Sequence, residues 1–129
     1  MTTDVARPLH RSSGDGWTLE TYDSDGFTVY AMTGEFDFAV SAKLRQVIEE
    51  RPPSSGLAVA DMTEVRFCDS SCLQVLLRLA QLLRESDGRF AVATSVHAVV
   101  RPLTLLRLEE LMPVHPTVEA ARTALASRS

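Results

Sequence analysis

The chain has 129 residues, of which 45% are hydrophobic and 23% are charged, and its formal net charge at pH 7 is −4. This size and composition predict one soluble domain with a single core. The acidic balance and the scattered Lys and Arg residues argue against a nucleic-acid surface. Because no run is long enough to cross a bilayer and no signal peptide is visible, we expect a cytoplasmic protein without nucleic-acid binding or membrane insertion.

The first part of the chain predicts a leader and a hairpin. Residues 1–15 combine a proline, serines and glycine with little apolar content, which predicts a flexible leader ahead of a domain over residues 16–127. Apolar and polar residues alternate over residues 17–22 and again over residues 27–33, with Gly26 in the turn between them. This pattern predicts two antiparallel strands that open the sheet.

A helix with one apolar stripe follows the motif Gly34-Glu35-Phe36-Asp37. The stripe consists of Val40, Leu44, Val47 and Ile48. Asp37 stands where a helix-capping residue belongs, and a cap stays near the surface. The helix stops before Pro52-Pro53, and the order strand, helix, strand then requires a right-handed crossover onto a parallel partner.

The centre of the chain is an apolar run, a polar loop and a long helix. Residues 57–60 read Leu-Ala-Val-Ala, which predicts a strand buried on both faces and released into a loop at Asp61-Met62-Thr63. Asp69-Ser70-Ser71 precedes a helical pattern that runs to Glu85, so either Asp69 or Ser70 is expected at the N-cap. The N–H groups and the dipole of a helix start favour negative charge, so a phosphoserine here would change the surface more than the fold.

The long helix is apolar over most of its surface. Its narrow polar stripe consists of Gln74, Arg78, Gln81 and Glu85. The residues expected to face the sheet are Leu73, Leu76, Leu77, Ala80 and Leu83. The remaining apolar flank consists of Val75, Leu79 and Leu82. This flank either packs on a neighbouring helix or meets a partner, and the sequence leaves both possibilities open.

The last part of the chain predicts further strands and helices. Residues 89–93 are an apolar strand, and residues 111–115 are a short final strand or an extended link. Residues 97–108 have helical spacing, but proline is tolerated only in a first turn, so Pro102 predicts a helix that begins near Val99 or kinks. With a last amphipathic helix, the elements predict an α/β fold: a mixed, mostly parallel sheet of four to five strands, opened by the hairpin, and about four helices.

The two cysteines, Cys68 and Cys72, lie on either side of the central Asp-Ser-Ser motif. Without a nearby histidine they are at most half of a zinc site, so buried free thiols are the favoured interpretation. The sequence has no glycine-rich phosphate loop, no metal-ligand spacing and no nucleophile elbow. We therefore expect a protein without a metal, a cofactor or an enzymatic activity.

The central stretch resembles the signature of the anti-sigma factor antagonists, the bacterial STAS-domain proteins, in Asp61-Met62-Thr63, Val65, Phe67, Asp69-Ser70-Ser71 and Leu73. The segment Gly34-Glu35-Phe36-Asp37 resembles the Gly-Glu-Leu-Asp motif of that family. The resemblance covers about residues 17–126 and implies a single STAS domain. One position departs from the pattern, since the family usually has glycine where this chain has Cys72.

In that family, the serine directly after the signature aspartate is phosphorylated by a kinase that is itself the anti-sigma factor. The resemblance therefore implies that Ser70 is the phosphorylation site, with Ser71 as second choice. It also implies an anti-sigma factor serine kinase of the GHKL ATPase type as partner, a phosphatase for Ser70, and a role in bacterial transcription regulation under stress. The expected partner-binding residues are Glu35, Asp37, Asp69, Ser70, Ser71, Cys72 and Leu73.

A second function is a STAS module that acts without phosphorylation, as a scaffold or accessory subunit of a sensory or transporter complex. Cys72 favours this alternative, because a thiol adds bulk where glycine would permit close approach of a partner. The first function predicts a GHKL-type ATPase as the bound partner, whereas the second predicts scaffold or membrane components.

Overall fold

The computed structural model describes residues 8–127 and contains a six-stranded sheet whose strand order follows the chain. The strands are β1 (His10–Gly14), β2 (Trp17–Ser24), β3 (Phe27–Phe36), β4 (Leu57–Cys68), β5 (Arg89–Ala93) and β6 (Val114–His115). The helices are α1 (Phe38–Glu50), α2 (Ser70–Glu85), α3 (His97–Leu105) and α4 (Val118–Ala126), with a 3-10 turn at Leu108–Glu110. Strands β1 to β3 pair antiparallel and β3 to β6 pair parallel, which confirms the α/β class and the mixed sheet.

The N-terminal hairpin is confirmed, and one more strand precedes it. Strands β2 and β3 pair from Trp17–Gly34 to Ser24–Phe27. Residues 10–14, which the composition assigned to a flexible leader, instead form β1 against β2, so the sheet has six strands rather than four to five. The polar residues of β1 carry no hydrophobic alternation, because an edge strand can be held by its backbone hydrogen bonds alone. Residues 1–7 of the predicted leader lie outside the described residues.

Strand β4 is longer than its apolar run. The predicted loop at residues 61–63 is wrong, because β4 continues to Cys68 beside β3. Ala31 of β3 pairs with Asp61 of β4, and Thr33 pairs with Glu64. One residue therefore separates the paired positions in β3 but two separate them in β4, so β4 has a bulge of one extra residue there. The Asp61 carboxylate accepts the Thr63 N–H at 3.1 Å and the Thr63 hydroxyl at 2.7 Å. These local bonds satisfy polar groups that the sequence pattern assigned to a loop.

Side chains of β4 alternate between two cores, as expected for a strand buried on both faces. Ala58 and Ala60 belong to the larger core, whereas Val59 belongs to the smaller one. Helices α1, α2 and α3 contribute to the larger core, and α4 contributes Ala121 and Leu125 to the smaller one. The helices therefore lie on both sides of the sheet, with α1 and α2 in contact on one side.

Helix α2 buries one broad face, and its predicted apolar flank is divided. The buried residues are Cys72, Leu73, Leu76, Leu79, Ala80 and Leu83. Of the predicted flank, Leu79 lies in the core, Val75 is half-buried and Leu82 is exposed. Leu77, which was expected to face the sheet, is only half-buried.

The C-terminal elements follow the predicted order. Helix α3 begins two residues before Val99 and continues past Pro102 to Leu105, so the proline lies in the second turn rather than in the first, where it was expected. The final strand is the two-residue β6, and the Thr117 hydroxyl caps α4 by accepting the Ala120 N–H at 3.0 Å. Within residues 8–127, every helix falls short of the length and hydropathy that a bilayer crossing requires.

Candidate functional site

Two helix starts lie side by side at one edge of the sheet. Strands β3 and β4 are parallel neighbours, so both end at the same edge, where Phe36 is paired with Cys68. The Asp69 N–H donates to the Phe36 carbonyl at 3.1 Å, which joins the two strand ends directly. Helices α1 and α2 begin immediately beyond them, at Phe38 and Ser70. The fold therefore brings together the two motifs that the sequence analysis selected.

Asp69 is the N-cap of α2. Its carboxylate accepts the Ser71 N–H at 2.9 Å and the Cys72 N–H at 3.3 Å, and the Ser71 hydroxyl also donates to it. The structure thus decides between the two predicted caps in favour of Asp69. Such a cap contributes about 1 kcal/mol to stability.

Asp37 is the N-cap of α1, as predicted. Its carboxylate accepts the Val40 N–H at 3.1 Å, and the Ser41 hydroxyl donates to its backbone carbonyl at 2.8 Å. Asp37 remains exposed while Ser41 is buried beneath it. Two carboxylates therefore stand at the same edge, each at the N-terminus of a helix.

The two serines of the central motif differ in their surroundings. Ser70 is the first residue of α2 and its side chain is exposed. Ser71 is half-buried, and its hydroxyl is engaged with the Asp69 carboxylate. A reagent from solution can therefore reach the Ser70 hydroxyl without breaking a capping interaction.

Two aromatic side chains flank this edge of the sheet. Phe38 is 77% exposed and Phe67 is 47% exposed, although both are large and apolar. Near them, the Arg66 guanidinium lies 3.7 Å from the Glu35 carboxylate in an exposed ion pair. Sequence reasoning did not identify Phe38 as a surface residue. The helical spacing could have predicted its exposure, because Phe38 lies on the opposite side of α1 from the apolar stripe that begins at Val40.

Two of the predicted partner-binding residues lie inside the protein. Cys72 is 0% exposed and Leu73 is 3% exposed, because both are on the sheet-facing side of α2. The assignment of these two side chains to the partner surface is therefore corrected. The prediction of buried free thiols is confirmed for both Cys68 and Cys72. A hydrogen bond with Cys68, together with burial, raises the pKa of the Cys72 thiol, so this sulfur stays protonated.

A groove of about 310 Å³ runs between α1 and α2 next to the serines. It is mostly apolar and is lined by Phe38, Ser41, Ala42, Arg45, Ser71, Gln74, Val75 and Arg78. Within residues 8–127, no three His, Cys, Asp or Glu side chains lie close enough together to hold a metal ion. The candidate site therefore consists of an exposed serine, Ser70, beside two capped helix starts. Aromatic side chains and the groove border it.

Comparison with known proteins identifies relatives of this architecture. The model of the STAS domain family matches residues 18–121. The crystal structure of an anti-sigma factor antagonist from Mycobacterium paratuberculosis has a TM-score of 0.76 and 30% sequence identity, covering 90% of this chain and 99% of that one. No curated protein sequence matches the chain significantly.

Two more distant structures share the fold. The anti-sigma factor antagonist SpoIIAA in its unphosphorylated form has a TM-score of 0.70 at 17% identity, covering 86% of this chain and 99% of that one. The murine solute carrier 26 family member A9 anion transporter has a TM-score of 0.65 at 18% identity. That match covers 80% of this chain but only 18% of the transporter. The same fold thus occurs as a small separate protein and as part of a much larger one.

Proposed function

The chain belongs to the STAS-domain family, and we propose that it acts as an anti-sigma factor antagonist switched off by phosphorylation of Ser70. The unmodified protein binds an anti-sigma factor serine kinase of the GHKL type in the bacterial cytoplasm and frees its sigma factor. The observation that carries the proposal is an exposed serine at the start of α2, in a chain 30% identical to an anti-sigma factor antagonist over nearly its whole length. A phosphatase resets the switch.

In this proposal the protein is a substrate and a binding module rather than an enzyme. ATP and Mg²⁺ belong to the kinase. Glu35, Asp37, Asp69, Ser70 and Ser71 form the contact surface, together with the aromatic side chains beside them. The stress to which the switch responds is set by the kinase and the phosphatase.

Accessibility supports Ser70 over Ser71 as the phosphorylated residue. The Ser70 hydroxyl is exposed at the helix start, whereas phosphorylation of Ser71 would remove its hydroxyl from the Asp69 cap. A phosphate on Ser70 adds a charge of roughly −1.5 to −2 at the favourable end of the α2 dipole. The folded structure therefore tolerates the modification, and the main effect falls on binding.

Electrostatic repulsion accounts for release without any refolding. At an effective dielectric of about 20 and a separation of about 6 Å, each like-charge pair costs on the order of 2 to 3 kcal/mol before screening. A tenfold loss of affinity requires only about 1.4 kcal/mol. Even a strongly screened repulsion between the phosphate and carboxylates buried in the interface is thus sufficient to release the kinase.

Substitution of Ser70 tests the proposal with purified GHKL-type ATPases from the source organism. With Mg²⁺ and ATP, one of them is expected to phosphorylate the parent protein at Ser70. Ser70→Ala should bind this kinase normally but should not be released by ATP. Ser70→Asp should bind at least about tenfold more weakly, because it places charge in the interface. Calorimetric Kd values and phosphopeptide mapping measure these outcomes.

Ser95 provides the matched control, because it is an exposed serine just beyond β5 at the same edge of the sheet. Ser95→Ala and Ser95→Asp should bind and be phosphorylated like the parent. The Ser70 switch is wrong if the Ser70 variants also behave like the parent in both assays.

A phosphorylation-independent scaffold or transporter subunit is the second candidate function. The fold shared with part of the murine anion transporter favours it. Affinity capture from cell extract, followed by mass spectrometry, separates the two functions. A GHKL-type ATPase among the captured proteins supports the antagonist, whereas transporter or scaffold proteins without such an ATPase support the alternative.

A further inference from the structure

The groove between α1 and α2 combines apolar surface with two arginines that face it from opposite helices. Phe38 and Val75 contribute apolar side chains, Arg45 projects from α1 and Arg78 projects from α2. Phe38 is the most exposed large hydrophobic residue of the described chain, and it extends the apolar surface of the groove toward solvent.

The two groove arginines are available for a partner. Within residues 8–127, the ion pairs employ Arg11, Arg66 and Arg122 instead. Both Arg45 and Arg78 are exposed, in a protein whose formal net charge is −4. The groove is therefore a local positive surface on an acidic molecule, and it complements negative charge on a partner.

The groove is continuous with the proposed phosphorylation site. Ser71 lines it and directly follows Ser70, while Phe38 lines it and directly follows the Asp37 cap. A partner that covers Ser70 therefore extends over the mouth of the groove. Continuity of this kind allows one interface to use both features.

We propose that the groove binds an acidic segment of the anti-sigma factor kinase, in which an apolar side chain is flanked by Asp or Glu residues. The inference rests on the proposed function for the identity of the partner. The apolar side chain packs against Phe38 and Val75, and the carboxylates pair with Arg45 and Arg78, since guanidinium groups bind carboxylates in a bidentate manner. Phosphate on Ser70 then stands beside the partner's own carboxylates, so the same contact that gives affinity also gives repulsion after phosphorylation.

Charge reversal in the groove tests the inference. The Kd values of the parent, Arg45→Glu and Arg78→Glu are measured against each purified GHKL-type ATPase of the source organism, at low and moderate NaCl. Each reversal should weaken binding by about tenfold or more and should reduce the salt dependence of binding. Arg84→Glu is the matched control, because Arg84 is an exposed arginine of the same helix outside the groove and should bind like the parent. Circular dichroism verifies that each variant is folded.

The possible outcomes separate the groove from the phosphorylation switch. If Ser70 is phosphorylated but both reversals bind like the parent, the groove inference is overturned and the switch stands. If an ATPase binds through the two arginines but does not phosphorylate Ser70, the groove stands and the switch fails. If no ATPase binds, both proposals fail. If sedimentation reveals a dimer that Arg45→Glu disperses, the groove belongs to a second copy of the chain, and this also overturns the inference.

Discussion

Cys72 lies in the core beneath the proposed phosphorylation site. Its side chain is fully buried, so the sulfur occupies interior volume rather than the surface offered to a partner. The departure from the glycine usual in the family therefore changes packing. The burial of Cys72 removes the main reason in the sequence to favour the scaffold function, because a buried thiol does not obstruct a partner at Ser70.

Replacing Cys72 by glycine should affect stability and leave binding intact. Cys72→Gly removes buried atoms and places glycine in the first turn of α2, which together should lower the free energy of unfolding by about 2 kcal/mol. Cys72→Ala is the control and should lose about half as much, because alanine restores helix propensity. Urea unfolding measures the change, and Kd for the kinase should stay within about twofold. A tenfold tighter complex of Cys72→Gly would mean that the side chain faces the partner after all.

For individual residues, the sequence predicted those roles that depend only on neighbours in the same segment. Asp37 was identified as a cap, and Asp69 as one of two candidates with Ser70, because a cap bonds to N–H groups two or three residues ahead in the same segment. The helical spacing correctly turned Leu73 toward the sheet, whereas the motif alone wrongly assigned Cys72 and Leu73 to the partner surface, because a motif position says nothing about which way α2 faces. That orientation is set by packing against β4 and α1, which are distant in sequence.

Among the secondary-structure elements, the end of β3 depends on close approach of two backbones. Gly34 has φ +97°, and the Gly16 carbonyl oxygen lies 2.0 Å from where a Cβ atom would stand. The same carbonyl accepts the Glu35 N–H at 3.0 Å. Glycine at this position therefore lets β3 turn its last residues toward the site, and the requirement arises from the β1–β2 turn rather than from a partner.

Gly34→Ala should be strongly destabilising. The added methyl group meets backbone that cannot move aside, so we expect a loss of about 3 kcal/mol or more in the free energy of unfolding. Gly26→Ala is the matched control: Gly26 has φ +84° but open space around it, so only the backbone strain of about 1 to 2 kcal/mol should appear. Urea unfolding of both variants measures the difference. Equal losses would contradict the clash at Gly16.

The sequence predicted the elements that carry strong periodicity and missed those defined by their neighbours. The β2–β3 hairpin, α1, α2 and β5 have clear apolar patterns and are where they were expected. Strand β1 is polar and is held by pairing with β2, and residues 61–63 stay in β4 because β3 extends beside them. Neither feature has a local signal, since both depend on hydrogen bonds to another strand.

For the molecule as a whole, Tyr30 links the sheet to the end of α1. Its side chain is fully buried in the larger core, and its hydroxyl donates to the Arg51 carbonyl at 2.7 Å. Burial, with a smaller contribution from the negative charge of Asp23, raises the pKa of Tyr30 well above its ordinary value of 10.0. The folded protein therefore holds Tyr30 neutral at a pH where the unfolded chain would ionise it.

This pKa difference makes stability fall at alkaline pH. Below pH 10 both states keep the Tyr30 proton, whereas above it the unfolded state loses the proton first, which lowers the free energy of the unfolded state relative to the folded state. Tyr30→Phe should lose about 1 kcal/mol at pH 7 with its hydrogen bond, and its stability should fall less between pH 9 and pH 11. Tyr22 is only half-buried, so Tyr22→Phe should reduce the loss of stability between pH 9 and pH 11 by less than Tyr30→Phe does. Urea unfolding across this pH range is the measurement, and an unchanged alkaline slope in Tyr30→Phe would contradict the account.

The central claim is that Ser70 carries a regulated phosphate, and phosphosite mapping of the protein from its own cells tests it most directly. Trypsin cleavage after Arg66 and Arg78 yields a peptide of residues 67–78 that contains both serines, and fragmentation distinguishes Ser70 from Ser71. We expect phosphate on Ser70 whose occupancy changes between unstressed and stressed cells. A well-covered peptide without phosphate on Ser70 under every condition would contradict the claim and leave the phosphorylation-independent module as the function of this domain.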